Sequence, residues 1–253
     1  MTELTKLRRF NLLMAALHAA QAVAMLALSS SFRLPITTSF LQYDASADRL
    51  LPVPDRVVDV PIGPLVAGFL LLSAVAHLAV SLPRAFEWYA GNLRRGVNYA
   101  RWAEYALSSS LMMVVIAMLV GVYDVAALLL VFVANAAMIL FGWVMERQNQ
   151  TTTRTDWTAY VFGCLVGVAP WVAVGLYLLG AGGDGGGPPT FVYWIYGSIF
   201  LFFNVFAVNM LLQYRRVGRW RDYLYGERAY IWLSLVAKSL LAWQVFAGTL
   251  RPA

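Results

Sequence analysis

The chain has 253 residues, of which 60% are hydrophobic and only 13% are charged. Soluble domains are nearer about half apolar and about a quarter charged, so this composition indicates a protein whose main solvent is lipid. The net charge of +6 argues little for nucleic-acid binding, because the basic residues fall in short runs beside apolar stretches, as membrane orientation signals do. Cys164 is the only cysteine, which excludes an intrachain disulfide and a cysteine metal cluster.

Seven apolar segments are long enough to cross a hydrocarbon core of about 30 Å. In chain order they are residues 7–28, 62–82, 97–121, 125–144, 157–181, 190–214 and 229–249. The first is interpreted as a retained helix and not a signal peptide, because it is long and contains His18 and Gln21. We therefore predict an all-α membrane protein with one seven-helix domain over residues 1–253.

The longest connection, residues 29–61, follows the first segment and contains four prolines. Polar and apolar residues alternate from Ile36 to Tyr43 and again from Arg49 to Val60. This alternation predicts a small antiparallel β-hairpin in the first loop after the first helix.

The basic residues in the connections and at the ends of the apolar segments are unequally divided between the two sides of the predicted bundle. Thirteen belong to the N-terminus and the even-numbered connections: Lys6, Arg8, Arg9, Arg84, Arg94, Arg95, Arg147, Arg154, Arg215, Arg216, Arg219, Arg221 and Arg228. Four belong to the other side: Arg33, Arg49, Arg56 and Arg251. Since positive residues remain in the cytoplasm, we predict a cell-membrane protein with a cytoplasmic N-terminus and an extracellular C-terminus.

Three charged residues interrupt the apolar segments: Arg101 and Glu104 in the third, and Lys238 in the seventh. Both histidines, His18 and His77, also fall inside apolar segments. A charged group at bilayer depth costs about 2.5–3.5 kcal/mol on insertion scales, so each needs a reason. Lys238 stands out, because about 14–16 Å of helix separates it from either end of its segment, too far for its side chain to reach water.

Two interpretations of Lys238 remain open at this point. The lysine could form an ion pair with Glu104, which lies about 10 Å deep in the third segment. It could instead be a desolvated amine that forms a Schiff base with a carbonyl compound. Ser234 is one turn before Lys238 and Ser108 one turn after Glu104, which is compatible with a polar stripe in either case. No nucleophile–base pair or metal-ligand set points to an enzyme.

Two sequence motifs and the two histidines resemble the heliorhodopsins, retinal-binding rhodopsins with an inverted membrane orientation. Residues 101–105, Arg-Trp-Ala-Glu-Tyr, followed by Ser108, match the pattern of that family's third helix. Residues 232–239, Trp-Leu-Ser-Leu-Val-Ala-Lys-Ser, match its seventh helix. The long first extracellular loop and the predicted orientation also agree, so the resemblance covers the whole chain and implies a rhodopsin-like seven-helix bundle.

The resemblance implies a role for each of these residues. Lys238 would bind all-trans retinal as a protonated Schiff base, with Glu104 as its counterion. The other retinal-site residues implied are Ser234, Ser108, Met112, Asn135 and Trp243. A polar cavity that receives the photoreleased proton would be formed by His18, His77 and Arg101. The family also implies a homodimer in which the first extracellular loop takes part.

The same comparison bears on whether the protein pumps ions. Light-driven proton pumps place a second carboxylate one turn before the lysine and a carboxylic donor eleven residues after the counterion. Those positions are Ser234 and Val115 here, so a vectorial proton relay lacks its usual acids. The resemblance to heliorhodopsins implies a light sensor with a slow photocycle and no ion pumping, and the cytoplasmic signalling partner is unidentified. The alternatives are a light-driven or light-gated ion transporter, and a non-photoactive transporter with a buried ion pair. The last is disfavoured, because the sequence has no inverted repeats or broken helices.

Overall fold

The computed structural model describes residues 3–182 and 186–252, which contain seven helices long and apolar enough to cross a membrane. The helices are α1 Glu3–Leu28, α2 Ile62–Ala79, α3 Pro83–Arg94, α4 Tyr99–Leu119, α5 Val125–Gln148, α6 Thr158–Gly180, α7 Thr190–Tyr214 and α8 Tyr223–Val245. All except α3 are membrane-spanning candidates. A 3₁₀ turn, Gly218–Arg221, precedes α8, and a π-helical turn, Phe246–Leu250, follows it. The predicted seven-helix fold is confirmed.

Side-chain caps define where three of the helices begin. Asn98 accepts a hydrogen bond from the backbone N–H of Arg101 at 3.0 Å at the start of α4. Asp124 does the same at the start of α5, and Asp222 at the start of α8. Such caps satisfy backbone donors that the first helical turn leaves free. They therefore fix the ends of the helices that contribute Glu104 and Lys238.

Three spanning helices extend well beyond the apolar segments that predicted them, and the first of these, α1, begins at Glu3, four residues before the predicted start. α5 continues to Gln148, four residues past the predicted end, and α8 begins at Tyr223, six residues before the predicted start. The extensions of α5 and α8 contain charged residues. Such residues interrupt the apolar pattern of the sequence, but the helix continues through them. Glu146 and Glu227 lie in these extra turns and are buried.

Helix α3 is an amphipathic connection that the apolar segments did not predict. It begins with Pro83 in its first turn, a position where the missing N–H has no cost. Tyr89 and Leu93 are buried against residues of α1 and α8, while Trp88 on the opposite face is exposed. The connection between α2 and α4 is therefore a packed element.

The predicted hairpin is present and extends slightly beyond its predicted bounds. Strand β1, Arg33–Asp44, pairs antiparallel with β2, Arg49–Pro61, with one irregularity between Ile36 and Thr37. The base of the hairpin packs on the bundle, where the N–H of Thr37 donates to the carbonyl of Tyr123 at 2.9 Å. Its outer part projects away, leaving apolar side chains such as Phe40 exposed.

Candidate functional site

Lys238 and Glu104 form a buried ion pair between α8 and α4. The Nζ of Lys238 lies 3.0 Å from Oε1 of Glu104 and donates to Oγ of Ser234 at 2.8 Å. From α2, the hydroxyl of Ser73 donates to the same carboxylate oxygen at 2.7 Å. Lys238 is only 3% exposed. A buried ion pair is stable only when further hydrogen bonds satisfy its groups, and the two serines supply them.

Tyr105 is a neighbour of Lys238 that the sequence did not reveal. The lysine Nζ lies 4.9 Å from the centroid of the Tyr105 ring, within the range of a cation–π contact. The Tyr105 hydroxyl donates to the carbonyl of Tyr230 at 2.9 Å, which fixes the ring. Consecutive side chains of a helix point about 100° apart. Tyr105 and Glu104 both reach the Lys238 amine because α8 brings that amine between them.

The two histidines lie side by side near this pair. The His18 and His77 rings are stacked, with centroids 5.7 Å apart and planes inclined by 8°. His77 Nδ1 lies 2.7 Å from Oδ1 of Asn11. His18 is fully buried, and neither of its ring nitrogens bonds to a described protein atom. Buried polar atoms are rarely left without a partner, so a bound water molecule would satisfy the ring nitrogens of His18.

A small cavity of about 30 Å³ connects Glu104 with a second buried cluster of charged residues. Its walls include His77, Arg101, Glu104 and Glu227. This volume accommodates about one or two water molecules. Arg101 and His77 both line this cavity, whereas His18 is not among its lining residues, and a proton-accepting role for the three stays a prediction.

The guanidinium of Arg101 is paired with two carboxylates, and this pairing determines its role. It bonds to Glu146 of α5 and to Glu227 of α8, and all three side chains are at least 95% buried. The rings of Trp102 and Tyr230 lie against the guanidinium, with centroids 4.5 and 4.0 Å from its central carbon. Arg101 thus joins α4, α5 and α8 as a permanently charged group, and the histidines are better suited than Arg101 to accept a proton.

Replacing Arg101 by methionine should strongly destabilise the protein, because Glu146 and Glu227 would then be two buried carboxylates without a cation. Breaking a buried ion pair on one side costs about 3–5 kcal/mol. The matched control is Arg94→Met on the exposed surface of α3, which should change stability by no more than about 0.5 kcal/mol. Thermal unfolding in detergent measures both. Equal melting temperatures for the two variants would show that the cluster does not stabilise the bundle.

The remaining predicted site residues differ in their surroundings. Ser108 and Met112 are buried on α4, and Asn135 of α5 donates to the hydroxyls of Ser109 and Ser110 at 2.8 and 3.1 Å. Trp243 is 40% exposed, and its indole donates to Gln21 of α1 at 3.1 Å. Contact of Met112, Asn135 and Trp243 with retinal stays a prediction. Trp243 is the most exposed of the three side chains.

The bundle has the fold of microbial rhodopsins. It is similar to the crystal structure of the light-driven proton pump LR (Mac) from Leptosphaeria maculans, with a TM-score of 0.66 and 13% identity over 98% of this chain and 95% of that one. It is also similar to the crystal structure of Exiguobacterium sibiricum rhodopsin, with a TM-score of 0.63 and 13% identity over 95% and 94% of the two chains. A comparison with curated proteins gave no significant sequence match.

Within this fold, the sequence identifies the family. The heliorhodopsin family model matches residues 7–250, nearly the whole length, and the chain belongs to that family. It is therefore a light-responsive multi-pass membrane protein, and the family implies a retinal chromophore. The site fits that chromophore, since Lys238 provides a buried amine and the chain's other lysine, Lys6, is an exposed partner of Glu3.

Proposed function

We propose that this protein is a photoreceptor that carries all-trans retinal on Lys238 as a protonated Schiff base and signals without pumping ions. The observation that carries the proposal is the set of groups around the amine. Among the described residues, the only carboxylate within ion-pair distance of Lys238 is that of Glu104. The other hydrogen-bond partner of the amine is the hydroxyl of Ser234, which cannot hold a negative charge at neutral pH.

Each surrounding residue has a task that follows from its contacts. Bound retinal supplies absorption of visible light and a change of shape on isomerisation. Glu104 holds the positive charge on the Lys238 nitrogen, and Ser73 fixes the carboxylate through its 2.7 Å hydrogen bond. The groups proposed to take up a released proton are His18, whose ring nitrogens have no hydrogen-bond partner among the described residues, and His77, which stacks on it.

Sustained pumping requires ionisable groups on both sides of the lysine, so that a proton leaves in one direction and is replaced from the other. Val115, eleven residues after Glu104, is fully buried in an apolar cluster. It cannot donate a proton, and neither Val115 nor Ser234 provides the second acid of a vectorial relay. A proton released to the histidines can return to the same nitrogen, which suits a slow cycle without net transport.

The orientation and partners belong to the same proposal. The excess of basic residues on one side supports a cytoplasmic N-terminus and an extracellular hairpin. Exposed apolar side chains on the hairpin, such as Phe40 and Leu41, support its participation in a homodimer within the lipid bilayer. The signal would pass to an unidentified cytoplasmic partner, and we propose neither an enzymatic activity nor nucleic-acid binding.

Recording pH during illumination of proteoliposomes tests for transport. We expect no sustained change in pH, because one acid at the amine does not complete a relay. The same lipid mixture containing a light-driven proton pump is the positive control. A sustained light-dependent change that a protonophore abolishes would contradict the sensor proposal and establish ion movement.

A further inference from the structure

A groove of about 380 Å³ opens at the end of the bundle opposite the hairpin, where α5 and α7 end and α8 begins. Arginines from two separate connections converge on it: Arg95 follows α3, while Arg216 and Arg221 lie between α7 and α8. Threonines 152, 153 and 155 of the α5–α6 connection line another part of the groove. Its volume is in the range of small-molecule sites.

One carboxylate, that of Glu146, lines the groove, but its hydrogen bonds point into the bundle. Glu146 already accepts hydrogen bonds from the Arg101 guanidinium, the Trp102 indole at 2.6 Å and the Tyr223 hydroxyl at 3.0 Å. Its oxygens are therefore occupied by donors from inside the bundle, although the one positive charge of Arg101 is shared between Glu146 and Glu227. Arg95 donates to Oδ1 of Asn92, and Nε of Arg221 donates to the carbonyl of Arg216 at 3.3 Å. Among the described residues no carboxylate lies within ion-pair distance of Arg95, Arg216 or Arg221, so three positive charges at the rim face a ligand.

The side chain of Gln213 leaves one buried hydrogen-bond acceptor unsatisfied beside the groove. Gln213 lines the groove, and only 7% of its surface is exposed. Its Nε2 donates to the carbonyl of Tyr223 at 3.2 Å, but its buried Oε1 has no partner among the described residues. A buried acceptor requires a donor, so a ligand whose hydroxyl or amine reached this oxygen would complete its hydrogen bonding.

Arg216 occupies a backbone conformation that favours glycine. It follows the end of α7 with φ of +52°, and the next N–H, of Val217, bonds back to the carbonyl of Leu212 at 3.1 Å. This is a helix-ending turn in which glycine is the usual residue. An arginine at this position introduces backbone strain, and the strain is explained if its side chain is needed at the groove.

We propose that this groove binds a small organic anion that bears phosphate. Arginine guanidinium groups recognise phosphate through paired, charge-assisted hydrogen bonds. The Trp220 and Tyr214 side chains that also line the groove offer apolar surface to the organic part of the ligand. The phosphate belongs either to a soluble molecule or to a lipid headgroup, because the groove lies at the end of the spanning helices.

Membrane orientation alone accounts for basic residues on this side, but not for their convergence. Arg94 and Arg219 carry the same charge on the same two connections and do not line the groove. They therefore provide matched controls, since their replacement removes two positive charges without altering the groove.

Isothermal titration calorimetry with pyrophosphate, on protein in an uncharged detergent and in the dark, tests the proposal. We expect saturable binding to the unaltered chain, weakened by at least about tenfold in the double variant Arg216→Gln, Arg221→Gln, since each charge-assisted contact contributes severalfold. The Arg94→Gln, Arg219→Gln variant should bind within about twofold of the unaltered chain. No saturable binding, or equal weakening in the two double variants, would overturn the proposal. Melting temperatures verify that both variants are folded.

The source of the phosphate is decided by repeating the titration in nanodiscs. If phosphatidylglycerol nanodiscs suppress pyrophosphate binding and phosphatidylcholine nanodiscs do not, an anionic headgroup occupies the groove. Equal binding in both lipids identifies a soluble ligand. Because binding is measured in the dark, its failure would leave the photoreceptor proposal untouched, and failure of light sensing would leave the binding result intact.

Discussion

Replacement of Lys238 by alanine should abolish visible absorption in protein expressed with all-trans retinal. The alanine variant has no amine at the site, and the chain's other lysine, Lys6, is exposed at the start of α1. An absorbance spectrum of the purified variant, beside that of the unaltered protein, measures the effect. The expected loss is complete, because covalent attachment needs the amine.

Two further variants make this result decisive. Lys6→Ala should retain the full visible band, since Lys6 pairs with Glu3 outside the bundle. Lys238→Ala alone leaves Glu104 as a buried charge without its partner and destabilises the fold. The double variant Lys238→Ala, Glu104→Gln removes both charges and should be folded but colourless. A visible band in a folded Lys238→Ala protein would show that retinal is bound elsewhere.

Replacement of Glu104 by glutamine should shift the visible band to longer wavelength and make the colour more sensitive to alkali. The carboxylate lies 3.0 Å from the Lys238 nitrogen and holds positive charge there. Without it, the charge spreads along the polyene and the proton is lost more easily, so the midpoint of the absorbance titration should fall by at least about one pH unit. Spectra recorded across a pH series measure both changes.

Ser73→Ala is the matched control for Glu104→Gln. It removes a hydrogen bond of 2.7 Å to the same carboxylate but leaves the charge in place. Its effect on wavelength and titration midpoint should therefore be the smaller one. If Glu104→Gln changes neither property, Glu104 is not the counterion and the assignment fails.

The fold and the central ion pair were predictable, because each depends on a local signal in the sequence. An apolar run of about 20 residues is enough to identify a spanning helix. Lys238 and Glu104 are recognisable because a charge deep in such a run requires a partner. The alternation of polar and apolar residues likewise indicated the hairpin, which the structure contains from Arg33 to Pro61.

The rest of the polar interior depends on contacts between helices that no single segment reveals. Glu146 and Glu227 lie just beyond the apolar segments, and the sequence therefore predicts that they are exposed at helix ends. In the structure both are buried and form ion pairs with Arg101. Asn11 is an ordinary polar residue in the first turns of α1 until His77 is found 2.7 Å away. The groove at this end of the bundle combines three connections, each of which, taken alone, has the composition of a basic or polar loop.

The most direct test of retinal attachment is borohydride reduction of the illuminated, pigmented protein followed by peptide mass spectrometry. Reduction converts the Schiff base into a stable secondary amine, so the modified lysine carries a retinyl group through digestion. Because the chain has two lysines, Lys6 and Lys238, the peptide that gains the retinyl mass identifies the site unambiguously. We predict modification of the peptide containing Lys238 alone. A retinyl group on Lys6, or an unmodified Lys238 peptide from fully pigmented protein, would contradict the account.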